Sequence, residues 1–313
     1  MIDKQKILSI DNDGLRRLAT FASIGVATVL IMAKLVAYLM TDSVSMLTSL
    51  FDSTFDLVAS VITAYGVASA LRPPDREHRY GHGKAEPLAV LAQAIFIIGS
   101  SVVLGYEAAS RLYHPHEIEN ENIGYAVMVV AIVMTVMLIA FQHHVTRKTR
   151  STAVGADKLH YIGDLAVNLS VVAAFALHQL TGFNWFDPVF AVAIAAGLLA
   201  SAFHLLKQSL FALMDAELPQ EQRKQIRDIV RTQSGVRGIH DMRTRTDSER
   251  IFIELHVEMD GNITLLAAHD LSEKITDAIN AEFPNADITI HQDPAGIEED
   301  RRDVRIAKQE AGK

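Results

Sequence analysis

The stretch SVSMLTSLFDSTFDLVASVITAYGVASAL (Ser43–Leu71) decides the fold. Its length and apolar character suit a helix crossing a bilayer, which needs about 20 residues. Yet it carries Asp52 and Asp56, spaced i, i+4 and therefore on one helical face. A second stretch, ADKLHYIGDLAVNLSVVAAFAL (Ala156–Leu177), repeats that spacing with His160 and Asp164. An ionised Asp at mid-bilayer costs about 3 kcal/mol, so three cost about 9 kcal/mol, against roughly 0.5 kcal/mol gained per Leu or Ile. Such carboxylates are tolerable when they meet something positive. Three Asp and one His on two facing helices form an N/O ligand set suited to a divalent metal.

Working outward, four more runs are long and apolar enough to span. The six are Leu15–Met40, Ser43–Leu71, Ala85–Tyr113, Ile123–Val145, Ala156–Leu180 and Asp187–Leu213. Half of the 313 residues (50%) are hydrophobic, too many for an ordinary soluble chain. The polar start, MIDKQKILSIDNDGLRRLA, does not read as a cleavable signal peptide, so the first run is expected to remain as a helix. Asp42 and Ser43 read as the N-cap of the second helix.

The distribution of Lys and Arg sets an expected orientation. Arg16 and Arg17 precede the first helix, Arg72, Arg76, Arg79 and Lys84 follow the second, and Arg147, Lys148 and Arg150 follow the fourth. The alternate loops hold neither Lys nor Arg, and one is acidic. Both termini are therefore expected in the cytoplasm. His114 and His116 fall in an outer loop, and Lys34 is expected to extend towards the outer interface.

After Leu213 the pattern changes. PQEQRKQIRDIVRTQSG and LLAAHDLSEKITDAINAEF read as amphipathic helices. HDMRTRTD, RIFIELHVEMDG and ADITIH read as strands, the second alternating strictly. The order α-β-β-α-β predicts a small α+β domain with helices on one sheet face. His256 and His291 fall on the polar faces of their strands.

These residues together resemble the cation diffusion facilitator family, nearest its bacterial zinc and ferrous-iron exporters. The motifs are DSTFD (Asp52–Asp56), HYIGD (His160–Asp164), RYGHGKAEP (Arg79–Pro87) and HQDP (His291–Pro294). The resemblance implies a six-helix transmembrane domain over residues 1–213 and a metallochaperone-like cytoplasmic regulatory domain over 214–296. A disordered tail is expected over 297–313. It further implies a homodimer in the bacterial inner membrane that exchanges metal for protons. Carried over by position, Asp52, Asp56, His160 and Asp164 form the transport site. Asp75, His78 and His82 form a loop site. His240, His256, His269, His291 and Asp293 form a cytoplasmic site, and Lys84 and Asp215 form an interdomain salt bridge. The implied metal is Zn²⁺, with Cd²⁺ and Fe²⁺ as alternatives.

Other functions are less well supported. There is no Cys, so disulfides and thiolate metal sites are excluded. A formal net charge of −8 gives no footprint for nucleic acid. An intramembrane metalloprotease would need HExxH, and His116-Glu117 lacks the second His. No enzymatic activity is therefore expected. The alternative to an antiporter is a membrane-embedded divalent-metal sensor without transport.

Overall fold

A computed structural model describes residues 4–41, 44–113, 122–183, 185–248, 250–297 and 301–311. The Asp42–Ser43 cap and the loop histidines His114 and His116 lie outside the described residues. The chain divides into two compact units, residues 1–210 and 211–313.

In the first unit, apolar runs without internal Pro form α1 (Lys4–Thr41), α2 (Val44–Ala70), α3 (Ala85–Tyr113), α4 (Asn122–Thr149), α5 (Thr152–Thr181) and α6 (Phe186–Leu213). Pro87 and Pro188 sit in the first turns of α3 and α6, where no amide partner is lost. All six helices are long and apolar enough to cross a membrane. Within each helix the interior backbone groups pair along the helix itself, which a hydrocarbon solvent demands. Phe21, Met32, Val103 and Val133 lie on the outer surface, as lipid-facing positions should. Small residues fill the interior, including Ala19, Ala59, Ala94 and Ala202, and allow close helix approach. At Gly66 on α2 a Cβ would fall 2.3 Å from that of Ala89 on α3, so only Gly permits this crossing.

The α2 and α5 helices pack directly on each other, and α5 also packs on α3 and α4. The N-terminus of α5 is held from outside its own sequence. Glu86 on α3 is buried, and its Oε1 accepts from Ser151 Oγ (2.7 Å), Thr152 Oγ1 (3.1 Å) and the Ala153 amide (3.0 Å). A carboxylate there satisfies the orphan Ala153 amide and complements the helix dipole.

The second unit contains α7 (Gln220–Arg231), β1 (Gly238–Thr246), β2 (Ile251–Met259), α8 (Leu265–Glu282), β3 (Ala286–Pro294) and α9 (Arg302–Ala311). The sheet order is β1-β2-β3, with β1–β2 antiparallel and β2–β3 parallel. Ile253, Leu255, Val257 and Met259 pack with Ile226 and Val230 of α7 and Leu271, Ile275 and Ile279 of α8. The expected α-β-β-α-β order and one-sided helix layer are present. The tail differs from expectation. Residues 302–311 form a helix packed on β1, because Asp241 supplies the cap that a mixed-charge segment lacks by itself.

Candidate metal centres

Among the described residues, ligand atoms come together in three places, each within 4.8 Å. The first lies between α2 and α5. Asp56 Oδ1 is 3.0 Å from His160 Nε2, and Asp164 Oδ2 is 3.7 Å from the same nitrogen. His160 is buried, whereas Asp56 and Asp164 are partly open. Asp52, one turn before Asp56, is exposed and stands outside the cluster. The structure thus groups three of the four expected residues. Lys34 is held on α2. Its Nζ donates to Ser53 Oγ (2.6 Å) and the Ser49 carbonyl (3.1 Å) on α2, and its charge acts on Asp52, Asp56 and Asp164. These hydrogen bonds satisfy its partly buried ammonium.

One turn before His160 lies Asp157, a residue the sequence reading left unassigned. It is buried, at 1% exposure. Its Oδ2 accepts from Ser23 Oγ of α1 (2.6 Å) and Gln142 Nε2 of α4 (2.8 Å). Its Oδ1 accepts longer bonds from Ser60 of α2 (3.4 Å) and Gln93 of α3 (3.5 Å). Tyr161 adds its hydroxyl to Ser60 Oγ at 2.9 Å. Five helices therefore meet at one carboxylate. The available signal was an Asp inside a span, together with Ser and Gln residues scattered through apolar helices.

The second cluster is Asp75, His78 and His82, in the turn between α2 and α3. Asp75 Oδ1 accepts from the amides of His78 (2.7 Å) and Glu77 (2.9 Å), closing an Asx turn. The His78 amide, more than any other neighbour, holds the Asp75 carboxyl below the usual carboxylate range. Its oxygens lie 3.3 Å from His82 Nε2 and 3.5 Å from His78 Nδ1. The buried His82 Nδ1 has no hydrogen-bond partner.

The third cluster sits on the sheet face away from α7 and α8. Strand register aligns His240 with His256 and His256 with His291, one row across three strands. His256 Nδ1 is 2.8 Å from Asp293 Oδ2, and His240 Nε2 is 3.3 Å from the same oxygen. His291 Nε2 lies 3.1 Å from Asp293 Oδ1. Two imidazoles and a carboxylate that converge in this way fit a divalent ion. His269 is not brought here; it is exposed on α8, the helix on the opposite sheet face. Asp215, expected to pair with Lys84, lies 3.5 Å from Arg245 within its own unit.

This arrangement has relatives. The cation efflux transmembrane domain matches residues 20–214, and the cytoplasmic domain of cation efflux proteins matches residues 218–295. The chain belongs to the cation efflux family. It is 44% identical over 282 residues to the cation-efflux pump FieF of Shewanella oneidensis, covering 90% of this chain and 95% of that pump. It is 40% identical over 281 residues to Protein p34 of Rickettsia prowazekii, covering 90% and 93% respectively. A solved metal-bound C-terminal domain of the CzcD transporter from Thermotoga maritima is 27% identical. It covers 26% of this chain and 100% of that domain at a TM-score of 0.25, too low to bear on the fold. Family membership makes this a multi-pass metal-cation efflux transporter, and the pumps it is similar to are transporters rather than enzymes.

Proposed function

We propose that this cation efflux protein is a proton-coupled antiporter that exports divalent cations, Zn²⁺ foremost and Cd²⁺ or Fe²⁺ as alternatives, from the bacterial cytoplasm. It works as a homodimer in the inner membrane with both termini cytoplasmic. The observation that carries this reading is the Asp56–His160–Asp164 cluster between two membrane helices, with His160 buried and ligand atoms close enough to share one ion. Asp52 completes the ligand set by turning inward as the ion enters. Metal binding needs deprotonated carboxylates and a neutral imidazole, so cation and protons compete for the same atoms. A site presented alternately to each side then exchanges one for the other. The membrane potential opposes outward positive charge by about 2.3 kcal/mol per charge per 100 mV, and returning protons offset it.

The loop cluster and the cytoplasmic cluster hold further ions. The cytoplasmic ion is regulatory, tightening the domain dimer. The test is Zn²⁺ flux into proteoliposomes under an imposed pH gradient, with and without an uncoupler, in the native chain and in Asp56→Ala. Flux that needs both the gradient and Asp56 is expected. Flux indifferent to the uncoupler would reject proton coupling. Zn²⁺ binding without flux would replace the transporter by a sensor.

A further inference from the structure

The C-terminal helix α9 is tied to the cytoplasmic cluster through one carboxylate oxygen. Glu258, on β2, lies opposite Gly238 of β1. A Cβ at Gly238 would come within 2.6 Å of the Glu258 carboxylate, so the glycine leaves room for that side chain to lie across β1. There, Glu258 Oε1 sits 3.4 Å from His240 Nδ1 and also accepts a charge-assisted hydrogen bond from Arg301, the residue leading into α9. His240 Nδ1 is buried and makes no hydrogen bond among the described residues. Its other ring nitrogen, Nε2, faces Asp293 in the cluster. A metal-binding imidazole commonly donates its remote N–H to a carboxylate, which fixes the tautomer and strengthens the ligating nitrogen. Glu258 is placed for that role, but Arg301 holds the same oxygen.

The anchorage of α9 is polar and light. Asp241, at a bulge beside His240 with φ +48°, accepts from the amides of Arg302 (2.9 Å) and Asp303 (2.8 Å). Asp303 Oδ2 accepts from the Asp241 amide at 2.8 Å. Val304 and Ile306 stay 47% and 46% exposed, so apolar burial adds little. A ten-residue helix is also too short to persist once detached.

We propose that Glu258 is the positioning carboxylate of metal ligand His240, and that Arg301 withholds it while α9 is docked. Docking of the C-terminal helix and metal binding therefore oppose each other. By linkage, metal at the cluster must loosen α9 to the same degree that docked α9 weakens the metal. The inference rests on His240, His256 and Asp293 holding a regulatory ion.

The test uses the full chain in detergent, carrying Asp56→Ala and Asp75→Ala so that added Zn²⁺ reports the cytoplasmic cluster. Zn²⁺ affinity is read by competition with a chromophoric chelator, and docking by hydrogen exchange of amides 302–311. Arg301→Gln should tighten Zn²⁺ binding, and Glu258→Gln should weaken it about 10-fold or more. Combined, they should match Glu258→Gln alone. Zn²⁺ should speed exchange in 302–311, and His256→Ala should abolish that response. Relief of charge repulsion alone would raise affinity in Arg301→Gln even with Glu258→Gln present, so a double variant tighter than Glu258→Gln alone also overturns the inference. Unchanged or weaker binding in Arg301→Gln, or exchange unmoved by bound Zn²⁺, overturns the inference while sparing the metal site. No Zn²⁺ binding dependent on His256 overturns both.

Discussion

His160 Nε2 and Asp56 Oδ1 lie 3.0 Å apart across 104 residues of sequence, a hydrogen bond joining the two helices that carry the intramembrane cluster. Asp52 makes no comparable contact in the cluster. The two acids should therefore respond differently to truncation. Asp56→Ala removes both a ligand and an interhelical bond, so it should lower Zn²⁺ flux at least about 100-fold and also lower the thermal midpoint. Asp52→Ala should impair flux and Zn²⁺ affinity while the midpoint of the metal-free protein holds. Thermal unfolding without metal, beside flux, separates them. Equal destabilisation by both variants would contradict the assignment of the bond.

Asp157 supports a second prediction. Asp157→Ala removes the acceptor shared by Ser23 and Gln142, leaving Ser23 Oγ with the Ala19 carbonyl (3.1 Å) and Gln142 Nε2 with Ser23 Oγ (3.0 Å), at a cost of about 1–3 kcal/mol. The resulting loss should appear as a clear fall in the thermal midpoint of the detergent-solubilised chain. Asp157→Asn keeps an acceptor and should recover part of it. Because Ser23 and Asp157 share one network, Ser23→Ala in the Asp157→Ala background should add little. Additive losses would show that the network is not a unit.

Much of this was legible in the sequence because the bilayer enforces simple rules. Apolar runs located six helices, and i, i+4 pairs of ionisable residues located the cluster on α2 and α5. Strict alternation in IFIELHVEM placed His256 and Glu258 on the face away from the core. What escaped was the partnering of groups far apart in sequence. Glu86 capping α5 from α3, and Asp157 gathering donors from four other helices, depend on packing that no local period encodes. The Lys34 bonds to Ser49 and Ser53 are of the same kind, since those residues approach it only in the folded bundle. The tail read as disordered because its composition is charged and mixed. Its helix depends on Asp241, a residue 61 positions from Arg302.

The loop cluster makes a prediction in which pH matters. Asp75 is exposed, and the His78 amide holds its carboxyl below the ordinary Asp value of about 3.9. A depressed folded value stabilises the turn above that ordinary value, and the contribution is lost only as pH falls through the lower one. The turn should therefore survive acidification from pH 7 to 5. Asp75→Asn keeps an acceptor for the Glu77 and His78 amides but removes an anionic ligand. Trypsin cutting at Arg76 and Arg79 should be unchanged, while bound Zn²⁺ falls by about one ion per chain, the three-ligand set having lost its only anion. Unchanged stoichiometry would remove the loop from the metal sites.

The cap on α5 yields the last prediction. Glu86 Oε1 accepts from Ser151, Thr152 and the Ala153 amide, and Oε2 lies 3.9 Å from Arg16 Nη1. Losing a helix cap costs about 0.5–2 kcal/mol, so Glu86→Ala should fray the first turn of α5 and speed hydrogen exchange at Ala153. Glu86→Gln retains the acceptor oxygen and should slow that exchange again. His160 sits two turns further along the same helix, anchored independently by its bond to Asp56. Zn²⁺ affinity in Glu86→Ala should therefore fall less than in Asp56→Ala. A loss as large as that of Asp56→Ala would mean that the end of α5 and the intramembrane cluster move as one piece.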